Sequence, residues 1–183
     1  MNVFEDIVRR YLEQQGYWVR QSVKVDITKP QKVEIGTPSM PRPEIDLVAF
    51  NVMRNELVLI EAKSYLDSHG VYYEAIADPK DKKAARYKLF TSETFQRIVT
   101  EVLIDQYMKC GLINNKVKVK YGLAAGNIHK GHEELIADYF RENKWLLITP
   151  QQLREFVEQC ATKGWEDDVV TMTAKLLRNT PKN

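Results

Sequence analysis

Apolar positions recur along the chain with two periods, and the alternation between them predicts the order of elements. Val3, Phe4, Ile7, Val8, Tyr11 and Leu12 fall at helical spacing and Gly16 supplies a stop signal, which predicts a helix over 3–15. Residues 17–27 are rich in β-branched and aromatic side chains and read as a strand. Pro30, Gly36, Pro38, Pro41 and Pro43 then predict a loop or ragged edge hairpin over 28–43. The runs 45–50 and 57–63 are short and almost wholly apolar. Neither alternates cleanly, so both read as central strands covered on both faces and joined as a hairpin through the polar-ended segment 51–56. A turn over 67–70, a short helix near 71–78 and a basic segment over 80–88 follow. Further on, the pattern predicts helices over 92–109, 132–143, 151–162 and 167–177, with strands over 117–125 and 145–148. The predicted fold is α/β with a mixed sheet, one domain over 1–183 with a core of about 1–149 and a C-terminal helical extension of about 150–183. Trp145, Phe156, Trp165 and Leu176 are most simply core.

The 183 residues carry 27 Lys+Arg and 25 Asp+Glu. That balance excludes a polycation of the histone type. It is uneven along the chain, however: residues 80–130 hold 11 basic and 4 acidic side chains, between two acidic flanks. Cys110 and Cys160 are too few for a disulfide framework or zinc knuckle. With no signal-peptide pattern and no apolar run of about 18 residues, the expected location is the cytoplasm.

The hairpin concentrates ionisable residues in the most apolar part of the chain. With its turn centred between Met53 and Arg54, cross-strand partners have numbers summing to 107, which sets Asp46 opposite Glu61. Lys63 shares the face of Glu61 by the period of two, and all three converge at the open end. Two buried carboxylates in contact repel each other, and a divalent cation between them reverses the sign; Mg²⁺ takes such oxygen ligands together with phosphate oxygens. With an ammonium beside them the set suits metal-assisted hydrolysis of a phosphodiester. The competing structural reading is a Glu61–Lys63 ion pair with Asp46 capping a loop.

Glu44-Ile45-Asp46, the hairpin, and Glu61-Ala62-Lys63 resemble the PD-(D/E)xK, or restriction-endonuclease-like, nuclease superfamily, and the αβββαβ order over about 1–125 is similar to its core. The resemblance implies that Asp46, Glu61 and the backbone carbonyl of Ala62 bind Mg²⁺, with Mn²⁺ as a substitute. It further implies that Lys63 assists the attacking water, that DNA is the substrate and that products carry 5′-phosphates. It implies an auxiliary acid, for which Glu5 fits, although a helix-terminus acid favoured by the dipole is an equal reading. Glu44 follows Pro43 directly and shares the strand parity of Asp46, so it is an auxiliary or alternative ligand. The Gln-x-x-x-Tyr motif of some relatives is absent from 92–109. A homodimer is plausible by resemblance alone.

Lys80, Lys82, Lys83, Arg86 and Lys88, with Tyr87 among them, form the densest basic run and are either a DNA-phosphate contact or a solvated loop. Lys116, Lys118 and Lys120 read as guards of a strand edge, His129 and His132 as surface residues, and Ser68-His69-Gly70 as turn chemistry. Ser64, Ser68 and His69 lack a nucleophile-elbow motif. The leading expectation is a Mg²⁺-dependent deoxyribonuclease. The alternatives are a non-catalytic DNA-binding or assembly module retaining the fold and a purely structural interaction protein.

Overall fold

The computed structural model describes residues 2–164 and 166–178. Helix α1 (Val3–Gln14) leads through Gly16, at φ +82°, into strand β1 (Trp18–Lys24). The predicted loop after it contains a short helix, α2 (Lys29–Glu34). Proline is read as a breaker, but Pro30 occupies the first helical turn, where no N–H is needed, and Thr28 and Gln31 form a reciprocal capping box ahead of it.

Strands β2 (Glu44–Asn51) and β3 (Glu56–Lys63) form the expected antiparallel hairpin, with Phe50 opposite Leu57 and Leu47 opposite Ile60. Then come α3 (Tyr73–Ala77), a 3₁₀ turn (Ala84–Arg86), α4 (Lys88–Thr91) and the long α5 (Glu93–Lys109), whose start is capped by Ser92. Strand β4 (Lys118–Ala125), α6 (Glu133–Glu142), β5 (Leu146–Ile148), α7 (Pro150–Cys160) and α8 (Val169–Arg178) complete the order.

The five strands form one mixed sheet in the order β1-β2-β3-β4-β5, antiparallel from β1 to β3 and parallel from β3 to β5. Helices cover both faces. On one, Phe95, Ile98, Val99 and Leu103 of α5 pack with Leu57, Leu59 and Leu123; on the other, Phe4, Val8 and Leu12 of α1 and Leu153 of α7 pack with Ala49, Val58 and Ile60. Leu57 to Ile60 are fully buried, which accounts for the uninterrupted apolar run of β3.

Helices α7 and α8 enclose a smaller cluster of Phe156, Cys160, Val170 and Ala174 against Ile7 and Tyr11 of α1. Leu176, expected in the core, is 71% exposed, because the buried stripe of α8 is carried by Val170, Thr171 and Ala174. Trp145 is half-buried among Phe90, Tyr121, Tyr139 and Phe140. The expectation for Trp165 falls outside the described residues. Both cysteines are free. Among the described residues no helix is long and apolar enough to cross a membrane.

Candidate active site

The site lies where β2 parts from β3. Their ladder ends at Leu47–Ile60, while β3 continues beside β4 as far as Lys63–Ala125. Beyond that end Glu61 and Lys63 keep a strand neighbour only on the β4 side. The expected opposition of Asp46 and Glu61 is therefore not a backbone pair: it falls just past the ladder. Asp46 reaches across instead, and its Oδ2 accepts a hydrogen bond from the N–H of Ala62 at 2.7 Å.

A local turn of the sheet aims Asp46 this way. In β2, Leu47 packs with the α1 cluster and Ile45 with the α5 cluster, although they share a strand parity. In β1, Val19 and Val23 change clusters in the same manner. The two strands turn over together at Ser22, which stands at φ +51° and faces Asp46 in a gap of the β1–β2 register. A strand residue in the left-handed region costs about 1–2 kcal/mol, and such distortions re-aim side chains beside functional sites.

Glu61 and Lys63 point to one face, as the period of two predicts, and form an ion pair with side chains only 17% and 20% exposed. Gly126 fixes the backbone beneath Lys63: its N–H donates to the Lys63 carbonyl at 2.8 Å, and a Cβ there would stand 2.2 Å from the Ser64 carbonyl oxygen. Glu5 is 7% exposed in the first turn of α1 and accepts a hydrogen bond from Asn2 at 2.7 Å. Glu44 pairs with Lys24 across β1 and β2.

The electrostatics treat Glu5, Asp46 and Glu61 as a group. Burial raises the pKa of Glu61 to about 6, with Asp46 and Glu5 adding to the rise and Lys63 opposing it. Burial likewise raises Glu5, assisted by Asp46 and Glu44. Asp46 is raised by burial, against the opposing Ala62 N–H and Lys63. Glu44 is lowered by its hydrogen bond from Lys24. Burial pulls Lys63 down, but Glu61 and Asp46 outweigh it and the ammonium titrates above its ordinary value.

Three partly desolvated acids, of which Asp46 raises the other two, favour a bound cation, and an all-oxygen donor set suits a hard one such as Mg²⁺. One oxygen of each acid is already engaged, by Asn2, Ala62 and Lys63 respectively. Among the described residues, no three His, Cys, Asp or Glu side chains stand close enough to enclose a metal as they are.

The patterns of charge and periodicity missed two tyrosines. Tyr87, 2% exposed, places its ring 5.7 Å from Lys63 Nζ, and its hydroxyl lies 3.5 Å from that of Tyr65. Tyr65, two residues past Lys63, stands at φ +43°, a strained position of the kind that clusters at functional sites. Its phenol is lowered because hydrogen bonds from Tyr87 and Arg86 and the charge of Lys63 outweigh burial. An aromatic residue inside a basic run was the available signal for Tyr87.

Of the basic run, Lys80, Lys82 and Arg86 are exposed and Lys83 and Lys88 half-buried; among the described residues none of the five forms an ion pair with a carboxylate. Lys118 is exposed on the stretch of β4 that extends beyond β5, whereas Lys120 pairs with buried Glu56 at 2.7 Å. His129 and His132 are not plain surface residues: both are half-buried against Tyr72. Ser68 serves a turn, its Oγ donating to the Tyr65 carbonyl and accepting from the Gly70 N–H. The chain matches no protein-family model, no curated protein and no solved structure.

Proposed function

We propose that this chain is a Mg²⁺-dependent nuclease of restriction-endonuclease-like fold that hydrolyses DNA phosphodiester bonds at Asp46, Glu61 and Lys63. The observation that carries the reading is the set of acids Glu5, Asp46 and Glu61, partly desolvated and mutually repelling, at the open end of the hairpin with Lys63 among them. Asp46 and Glu61 would hold the metal, with the Ala62 carbonyl as a further donor and Glu5 in support. Mg²⁺, when bound, supplies Lewis-acid polarisation of the phosphate and neutralises charge that develops on it.

The chain's own residues supply the remainder. Lys63 would orient water and offset phosphate charge once Glu61 is given to the cation. The Tyr87 ring faces the ammonium, and its hydroxyl donates to that of Tyr65. The exposed cations Lys80, Lys82 and Arg86 retain the phosphate backbone, which positions DNA without reading its sequence.

A non-catalytic DNA-binding module is the second reading, favoured by the Glu61–Lys63 pair as it stands. A cleavage panel separates the two: linear, circular, single-stranded and junction DNA with Mg²⁺, with Mn²⁺ or with EDTA. Cutting of at least one substrate that requires the cation, leaving 5′-phosphate ends, supports the nuclease. Binding without any cutting supports the module.

A further inference from the structure

All three histidines of the chain meet at one place, on the loops that leave the carboxyl ends of the adjacent parallel strands β3 and β4. His129 stacks on Tyr72 with ring centroids 4.1 Å apart and planes 21° from parallel; His132 and His69 meet His129 edge-on at 4.9 and 6.3 Å. Lys83 Nζ lies 3.9 Å from the centre of the Tyr72 ring. An imidazole and an ammonium that close cannot share a face of the ring, so Tyr72 is sandwiched between them.

The arrangement is rigidly built. The Val71 N–H donates to the Asn127 carbonyl at 3.0 Å, the His129 N–H to the Val71 carbonyl at 2.9 Å, and the Asn127 side chain to the Ser68 carbonyl at 2.8 Å. Gly70 allows the close approach, since a Cβ there would stand 2.7 Å from the Ile128 backbone. The Tyr73 N–H donates to His132 Nδ1 at 3.0 Å, and Glu74 Oε2 lies 3.5 Å from the same nitrogen. His129 Nδ1 lies 3.2 Å from the His69 carbonyl.

Lys83 and Tyr87 flank the 3₁₀ turn Ala84–Arg86. One end of the turn therefore touches the Tyr72 stack and the other the Lys63 site. In open α/β sheets ligands gather at the carboxyl ends of parallel strands. Among the described residues these imidazoles do not form a metal-holding group.

We propose that the Lys83–Tyr72–His129 stack, rimmed by His69 and His132, is a second binding site for the phosphodiester backbone of a DNA strand that passes from the Asp46–Glu61–Lys63 site across these loops. Both faces of Tyr72 are occupied, so no base stacks there, and the contacts fall on phosphates with no preference for sequence. The choice of DNA among phosphate-bearing ligands rests on the nuclease reading.

The test is fluorescence anisotropy with labelled single-stranded and duplex DNA in EDTA, where metal-dependent cutting does not intervene. The wild type is compared with His69→Ala, whose ring is exposed, and with the triple variant His69→Ala/Lys83→Met/His129→Gln, after circular dichroism has verified each fold. The expected result is a Kd about tenfold weaker in the triple variant, with a shallower dependence on salt and equal affinity for unrelated base sequences. His69→Ala weakens binding in the same direction. Unchanged affinity and salt dependence in the folded variants overturn the proposal, as does a wild type that binds no DNA. Binding that follows these expectations without any cation-dependent cleavage overturns the nuclease reading and leaves this site standing.

Discussion

Lowering the pH should weaken metal binding at Asp46 and Glu61 steeply, and the structure sets where. Glu61 is held at about 6, against an ordinary 4.5, by burial and by Asp46 and Glu5. Ionising it in the metal-free protein therefore costs about 2 kcal/mol more than in water. The sign follows from the raised value: the ionised carboxylate destabilises the metal-free fold above about pH 6, and that penalty disappears as the pH falls through 6 towards 4.5. A cation needs the ionised form, so it competes with the proton below about pH 6. Each further pH unit should weaken binding about tenfold for this carboxylate alone, or about 1.4 kcal/mol. Asp46 and Glu5, also raised, steepen the fall. The assay is calorimetric titration with Mn²⁺ at about pH 7.5, 6 and 5, on wild type and Glu61→Gln. The wild-type affinity should hold nearly level above about pH 7 and collapse below 6, while Glu61→Gln binds weakly throughout with a shallower pH response. A flat wild-type profile, or equal affinity in the two proteins, would refute the reasoning.

Other outcomes follow from the same contacts. Lys63→Met removes the cation that competes for Glu61, so Mn²⁺ should bind at least about fivefold tighter while cleavage is lost, read by calorimetry and a plasmid assay on one preparation. Gly126→Ala forces a Cβ against the Ser64 carbonyl at 2.2 Å and should cost about 3 kcal/mol, measured as a lower urea midpoint with unchanged slope. Glu56, 6% exposed, accepts from Tyr17 at 3.0 Å and pairs with Lys120, and these contacts hold its carboxyl below the ordinary range against burial. Its stabilisation is present at neutral pH and lost in acid as the pH falls through the depressed value; Glu56→Ala should cost about 2–3 kcal/mol at pH 7, seen by urea denaturation.

Much of the scaffold was legible in the residue pattern because two faces of one sheet impose it. The wholly apolar run of β3 announced a strand covered on both sides, and the hairpin register followed from its turn. The shared face of Glu61 and Lys63 came from the same period. The aim of Asp46 did not, since it depends on a turnover of β1 and β2 at Ser22, a conformation that serine does not advertise. The helix Lys29–Glu34 was hidden by reading proline as a breaker when its place in the first turn made it compatible. The histidine cluster was out of reach for another reason. His69 and Tyr72 lie some sixty residues from His129 and His132, and only the parallel pairing of β3 with β4 brings their loops together.

The most direct test compares wild type with Asp46→Asn in one cleavage assay, on a substrate the panel identifies, with Mg²⁺ and with EDTA. Asparagine keeps an acceptor for the Ala62 N–H, so the variant retains the hairpin and loses only the carboxylate charge. Cleavage by the wild type that requires Mg²⁺ and falls at least about a thousandfold in Asp46→Asn is the predicted result. Undiminished Mg²⁺-dependent cleavage by the folded variant would contradict the placement of the reaction at Asp46, Glu61 and Lys63.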